Sequence, residues 1–182
     1  SIGSGVGLTT VAGSVDGLSS LTVINSGGVT FQDTVGQSGS FDFVVGTTTA
    51  NETIAFQNNT TFNSITANSN DAYSLSFTGS STVVDQFVGF TNSGGLVLGN
   101  GASDSLLFRN GLTYSGVGTV NMFGALRTNA GAVDLGGNIT LGNGTSVIDT
   151  TNNNVAATGS NIQLGAVNGN ASTLRLNAGD SS

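Results

Sequence analysis

The side chains that could carry chemistry in this sequence are few and widely separated. Carboxylates stand singly at Asp16, Asp33, Asp42, Glu52, Asp71, Asp85, Asp104, Asp134, Asp149 and Asp180, and the cations are Arg109, Arg127 and Arg175. Glycosidic bond cleavage needs two carboxyls facing each other across the scissile bond, and no two acids here are close in the chain. Coiling could still bring Asp134 to Asp149, or Asp104 to Arg109. Trp is absent, so Tyr73 and Tyr114 are left to serve as sugar platforms. With no His, Cys or Lys, a Ser-His-Asp triad lacks its base. Thiol chemistry, Cys/His zinc sites and Schiff bases lack their reacting atoms. The expectation is a chain with no catalytic residue, no cofactor-binding residue and no metal ligand, and not an enzyme.

Three motifs have uneventful readings beside their functional ones. Gly99-Asn100-Gly101-Ala102-Ser103-Asp104-Ser105-Leu106 approaches the calcium nonapeptide, in which carbonyls and aspartates of successive turns share an ion. Its Gly-to-Asp spacing is one residue too long, and the second copy has Ser146 where the aspartate would fall. A tight turn is expected instead. Glycosylation triplets at Asn51, Asn58, Asn59, Asn138, Asn143 and Asn170 follow from a composition rich in Asn, Ser and Thr. The run Thr47-Thr48-Thr49 suggests an ice-binding threonine ladder, but the other threonines keep no matching interval.

Charge narrows the field further. The chain has 182 residues and a net charge of -7, with 7% charged side chains, against about 25% in a typical globular domain. Three arginines cannot neutralise a phosphate backbone, so nucleic acid is excluded as a partner. No apolar run approaches the roughly 20 residues of a spanning helix. The strands are also too short and too poor in Tyr and Trp for a transmembrane barrel. The opening Ser1-Ile2-Gly3 reads as a processed or excised piece.

The elements that would position any site are strands. Leu21–Ile24, Val29–Phe31, Phe41–Val45, Thr53–Phe56, Tyr73–Phe77, Leu96–Leu98, Leu106–Phe108 and Thr119–Phe123 are rich in β-branched and aromatic residues. Ile139–Leu141, Val147–Ile148, Asn161–Leu164 and Thr173–Leu176 continue the series. Many alternate apolar with small polar residues, the period of a strand with one buried face. Gly27-Gly28, Gly94-Gly95, Asn100-Gly101, Gly136-Gly137 and Asn143-Gly144 mark tight turns between them. The chain also echoes itself. Leu98-Gly99-Asn100-Gly101 returns as Leu141-Gly142-Asn143-Gly144, and Asn25-Ser26-Gly27-Gly28-Val29 as Asn92-Ser93-Gly94-Gly95-Leu96. Val15-Asp16-Gly17 with Leu21-Thr22-Val23 is echoed by Val167-Asn168-Gly169 with Leu174-Arg175-Leu176. Self-similarity of this kind points to a solenoid with coils of unequal length.

Val15 to Val23 with Gly28-Val29-Thr30-Phe31 resembles the repeats of giant bacterial β-strand-repeat surface proteins. So do Asn154 to Gly169 with the Leu174-Arg175-Leu176-Asn177-Ala178-Gly179 tail, and the stretch from Leu96 to Leu141. The resemblance, shared with filamentous-haemagglutinin and autotransporter-passenger adhesins, implies a secreted parallel β-helix serving adhesion or surface structure. It transfers no catalytic residues.

The expected fold is an all-β parallel β-helix over residues 1–182, with eight or nine coils of about 20 residues. At about 4.8 Å per strand it would form a rod near 40 Å long. Phe31, Phe43, Phe56, Phe77, Phe90, Phe108 and Phe123 should stack along its axis in that order. The rival is a β-sandwich subunit polymerised by strand donation. Absent Lys and Pro leave strand edges unprotected, so the expected partner is the chain itself, end to end or in tandem. The expected role is an extracellular structural fibre, filament or adhesin, without membrane insertion. The alternative is a module binding a glycan or host protein.

Overall fold

The computed structural model describes residues 1–3, 5–24, 26–46, 51–67 and 71–179. Thr47–Thr49, Asn25 and Asp180 therefore lie outside the described residues. The chain is an all-β solenoid, and among the described residues every strand pair is parallel. A sandwich of hairpins would be antiparallel, so that rival is set aside.

Three sheets run along the axis. The first holds β1 (Thr9–Val11), β3 (Val29–Phe31), β5 (Thr53–Phe56), β7 (Ser74–Phe77), β10 (Gly95–Leu98), β13 (Thr119–Met122), β16 (Asn138–Leu141) and β19 (Val167–Asn168). The second holds β2 (Ser20–Val23), β4 (Phe41–Val45), β6 (Thr60–Thr66), β8 (Ser81–Val84), β11 (Ser105–Phe108), β14 (Ala125–Arg127), β17 (Thr145–Asp149) and β20 (Thr173–Asn177). The third is shorter, with β9 (Val88–Phe90), β12 (Leu112–Tyr114), β15 (Val133–Leu135) and β18 (Ile162–Leu164). The solenoid makes about six turns, slightly fewer than the eight or nine coils expected, and the third side carries strands in its later part only. Coil length varies. The tightest step runs from Val120 to its partner Ile139, and the longest from Val133 to Ile162.

The sequence echoes are structural equivalents in two cases. Both Leu-Gly-Asn-Gly copies turn the chain from the first sheet into the second, after β10 and after β16. Both Gly-Gly pairs lead into the first sheet, and Val29 and Leu96 fall in one column through Ile54 and Leu75. The echo between the two ends is not equivalent: Val15 bridges to Val35 at the approach to the second sheet, whereas Val167 pairs with Ile139 in the first.

Alternation places one residue in two on the axis. In the first sheet the inward column reads Val11, Phe31, Phe56, Phe77, Leu98, Met122, Leu141. Phe31 and Phe56 stack with centroids 4.9 Å apart, and Phe56 and Phe77 at 5.2 Å. The single file of phenylalanines expected from the sequence is therefore divided among three walls. Phe43 and Phe108 stand on the second sheet, and Phe90 on the third. Phe41 and Phe62 join them, edge to face at 5.6 Å. Phe123 leaves the core altogether and sits half-buried at a corner.

Glycine is required where the corners tighten. Gly99 has φ +79, and a Cβ there would stand 2.1 Å from the Phe123 carbonyl oxygen of the next coil. No L side chain fits both the dihedral and the spacing. Within the second sheet β4 and β6 slip register at Phe41/Asp42. The extra residue lets both Asn63 and Ser64 donate to the Asp42 carboxylate, at 2.7 and 2.8 Å.

Two substitutions test this packing. Phe56 touches four other rings, Phe31, Phe43, Phe62 and Phe77. Urea unfolding of Phe56→Ala is expected to show a loss of about 3–5 kcal/mol. The same change at Phe87, which is 54% exposed, should stay within about 0.5 kcal/mol of the parent.

Candidate functional site

The acids remain scattered once the chain is coiled. Asp134 stands on β15 of the third sheet and Asp149 ends β17 of the second, so they occupy different walls. Arg109 does not reach Asp104. Its Nε pairs with Asp85 at 2.9 Å, with both side chains well exposed. Asp104 turns into its own corner, where its carboxylate accepts from the Asn100 and Gly101 N–H groups at 2.8 and 2.9 Å. The calcium-like motif is thus built as a tight turn closed by its aspartate. Ser146, the residue in the second copy, is buried and donates to the Met122 carbonyl at 3.3 Å. Among the described residues no three His, Cys, Asp or Glu gather as metal ligands.

Tyr73 and Tyr114, the residues left to stand in for tryptophan as sugar platforms, are core residues at 0% and 1% exposure. The Tyr114 hydroxyl donates to the Asn92 carbonyl at 3.1 Å, and burial pushes its pKa up. Of the glycosylation triplets, Asn51, Asn138, Asn143 and Asn170 are exposed. Asn58 and Asn59 are half-buried and engaged. The Asn59 Oδ1 accepts from Ser80 Oγ and Ser81 N, at 2.9 and 3.0 Å.

The densest polar constellation is one that the spacing of acids did not indicate. Asp149 is 4% exposed and begins the long excursion between β17 and β18. Its Oδ1 accepts from Thr151 N at 2.9 Å, Thr151 Oγ1 at 2.7 Å and Asn177 Nδ2 at 3.1 Å, and its Oδ2 from Asn153 N at 2.7 Å. The donors can converge because Asn152, Asn153 and Asn154 all adopt positive φ, at 51°, 57° and 66°. Asn tolerates this region better than other non-glycine residues, and usually as a single residue. The triple Asn directly after Asp149-Thr150-Thr151 was the readable signal. Arg127, in register with Asp149, donates through Nη1 to Ser105 Oγ at 2.8 Å.

Chemically this is an anion already solvated by its own backbone, with no proton to give at neutral pH. Burial would raise the Asp149 pKa, but bonds from Thr151 and Asn153 and the Arg127 charge outweigh it and hold the carboxyl below the ordinary 3.8. Asp42 is lowered too, by Asn63 first and Ser64 second.

A shallow recess of about 190 Å³ lies on the outer side of the first sheet, against Phe123. A larger one of about 700 Å³ opens at the final rung, between Ile162, Leu164, Leu176 and Ala178. The chain matches no family model, no curated protein and no solved structure.

The lowered carboxyls fix a pH dependence. A group whose folded pKa lies below its unfolded one stabilises the fold above the unfolded value and loses that contribution as pH falls through the folded value. Stability should hold down to about pH 4 and decline below it. Asp149→Asn should cost roughly 1–3 kcal/mol at neutral pH. In urea titrations the gap to the parent should narrow as pH falls below the ordinary carboxylate range and the parent carboxyl itself takes up a proton.

Proposed function

We propose that the chain is a length of an extracellular fibre, filament or adhesin stalk, extended by further coils of its own kind and turning over no substrate. The observation that carries this reading is the last rung. Its inward side chains are Ile162 and Leu164 in β18, Val167 in β19, and Leu174 and Leu176 in β20. Their partners one coil earlier, Val133, Leu135, Ile139, Ser146 and Ile148, are all buried. Val167 is 42% and Leu176 54% exposed. The core therefore runs out to an open apolar end, lined by the 700 Å³ recess. Burying such side chains contributes about 1.5–3 kcal/mol each.

The strand edges support the same reading. β18, β19 and β20 end their sheets, and the sequence supplies no Lys or Pro to guard them. At the other end, Val6 is 88% and Leu8 66% exposed. There the edge of β2 offers groups that pair in parallel fashion, since one residue of the same chain bridges to it: Ile2 N donates to Thr22 O at 2.7 Å, and Ile24 N to Ile2 O at 2.8 Å. A last rung placed on a first rung is a head-to-tail interface, which grows into an open filament. The partner is the chain itself, as separate copies or tandem repeats. The extracellular setting rests on the resemblance to surface-protein repeats.

Negative-stain electron microscopy and sedimentation velocity test the reading. The parent protein is expected to form uniform fibres whose length grows with concentration. Leu176→Lys places an ammonium on the open end and should leave single rods with an unchanged melting midpoint. Monodisperse rods of the parent at every concentration would contradict the proposal.

A further inference from the structure

Phe123 belongs by sequence to the axial stack, yet it stands outside, as one wall of a recess. The ring rests on glycine: a Cβ at Gly142 would fall 2.7 Å from Phe123 Cγ, so that coil must carry glycine for the ring to lie there. The ring forms one wall of the 190 Å³ recess. Asn100, Asn121 and Thr140 complete it, from three successive coils. Asn100 and Asn121 are exposed and Thr140 half-exposed. None of the three side chains donates to or accepts from another protein group among the described residues.

The outer face around the recess lacks charge. Its central column reads Thr10, Thr30, Ala55, Ser76, Val97, Asn121, Thr140 and Asn168. The acid of this corner, Asp104, is turned inward and held by the Asn100 and Gly101 N–H groups. Arg127 faces outward from the second sheet, on another wall. An anionic ligand would find no cation here and a cationic one no free carboxylate. A half-exposed aromatic ring offers an apolar face, while two amides and a hydroxyl each donate and accept. That combination fits a sugar ring, with its C–H face and its flanking hydroxyls. The volume suits one such ring, below the roughly 300–1,000 Å³ of pockets for larger ligands.

We propose that Phe123, Asn121, Thr140 and Asn100 form a binding site for one neutral pyranose unit of a polysaccharide. Phe123 stacks on the ring, and the two amides and the hydroxyl bond its hydroxyls. The site is independent of end-to-end assembly, because it lies on the side of the rod.

The test is a backbone-amide NMR titration of the Leu176→Lys protein. The probes are cello-, chito-, xylo- and manno-oligosaccharides, with oligogalacturonate as the charged comparison. At least one neutral series is expected to shift Asn121, Phe123 and Thr140 saturably, with a millimolar Kd. Phe123→Ala should weaken it about tenfold or more. Asn121→Ala, at an exposed position, should weaken it with no change in melting midpoint. Shifts confined to other residues, equal binding of oligogalacturonate, or no response to all four neutral series would each overturn the proposal. If Leu176→Lys itself still forms fibres, the same titration is run on sonicated fragments by solid-state NMR with the same criteria.

Discussion

A parallel strand cannot satisfy its own N–H and C=O groups, and buried groups left unpaired cost about as much as a lost hydrogen bond. Each coil of this protein therefore depends on the coil before it and the coil after it. The pairings run without reversal through two sheets of eight strands. With that register set, alternation decides which side chains meet on the axis. Phe31, Phe56 and Phe77 stack because they are successive partners in one column. The same constraint leaves the final rung with its apolar residues facing outward along the axis.

The corners pay for this regularity with special backbone. Gly99 combines a left-handed φ with a carbonyl of the next coil at 2.1 Å from any added Cβ. At Asp149 three asparagines in the same region do comparable work, and the buried carboxylate accepts from the N–H groups of Thr151 and Asn153. Ionisable residues serve structure in each case where the geometry is well defined. Asp104 closes a turn, Asp42 ties a register slip, and Asp149 organises a loop.

Much of the fold was legible in the chain. Alternation around Phe41–Val45 and Thr53–Phe56 identified β4 and β5, and the Leu-Gly-Asn-Gly echoes marked equivalent corners. The third sheet was harder to see. β9, β12 and β15 are three residues each, so each shows a single period of alternation, too short to stand out from the turns around it. β6 was missed because Thr60, Thr61 and Asn63 dilute its apolar signal; Thr60 faces inward and bonds Thr82 at 3.2 Å. Phe123 misled for a different reason. It continues an apparent strand, Thr119–Phe123, but the strand ends at Met122 and the chain turns. No count of aromatic residues could place its ring on the outside, because that depends on Gly142 one coil later. The Asp149 constellation joins residues as distant as Asn177, and pairwise spacing of acids gave no hint of it.

The register itself is the claim on which the rest stands, and the absence of native cysteine makes it directly measurable. Ser76 and Val97 are partners on the outer face of the first sheet, and Asn121 follows Val97 one coil later. In a Ser76→Cys, Val97→Cys protein the thiols stand one strand spacing apart, about 4.8 Å between backbones, and in Ser76→Cys, Asn121→Cys about twice that. A short bifunctional thiol reagent is expected to link the first pair within one chain and to leave the second unlinked. Failure to link the first pair, or equal linking of both, would contradict the stacked register.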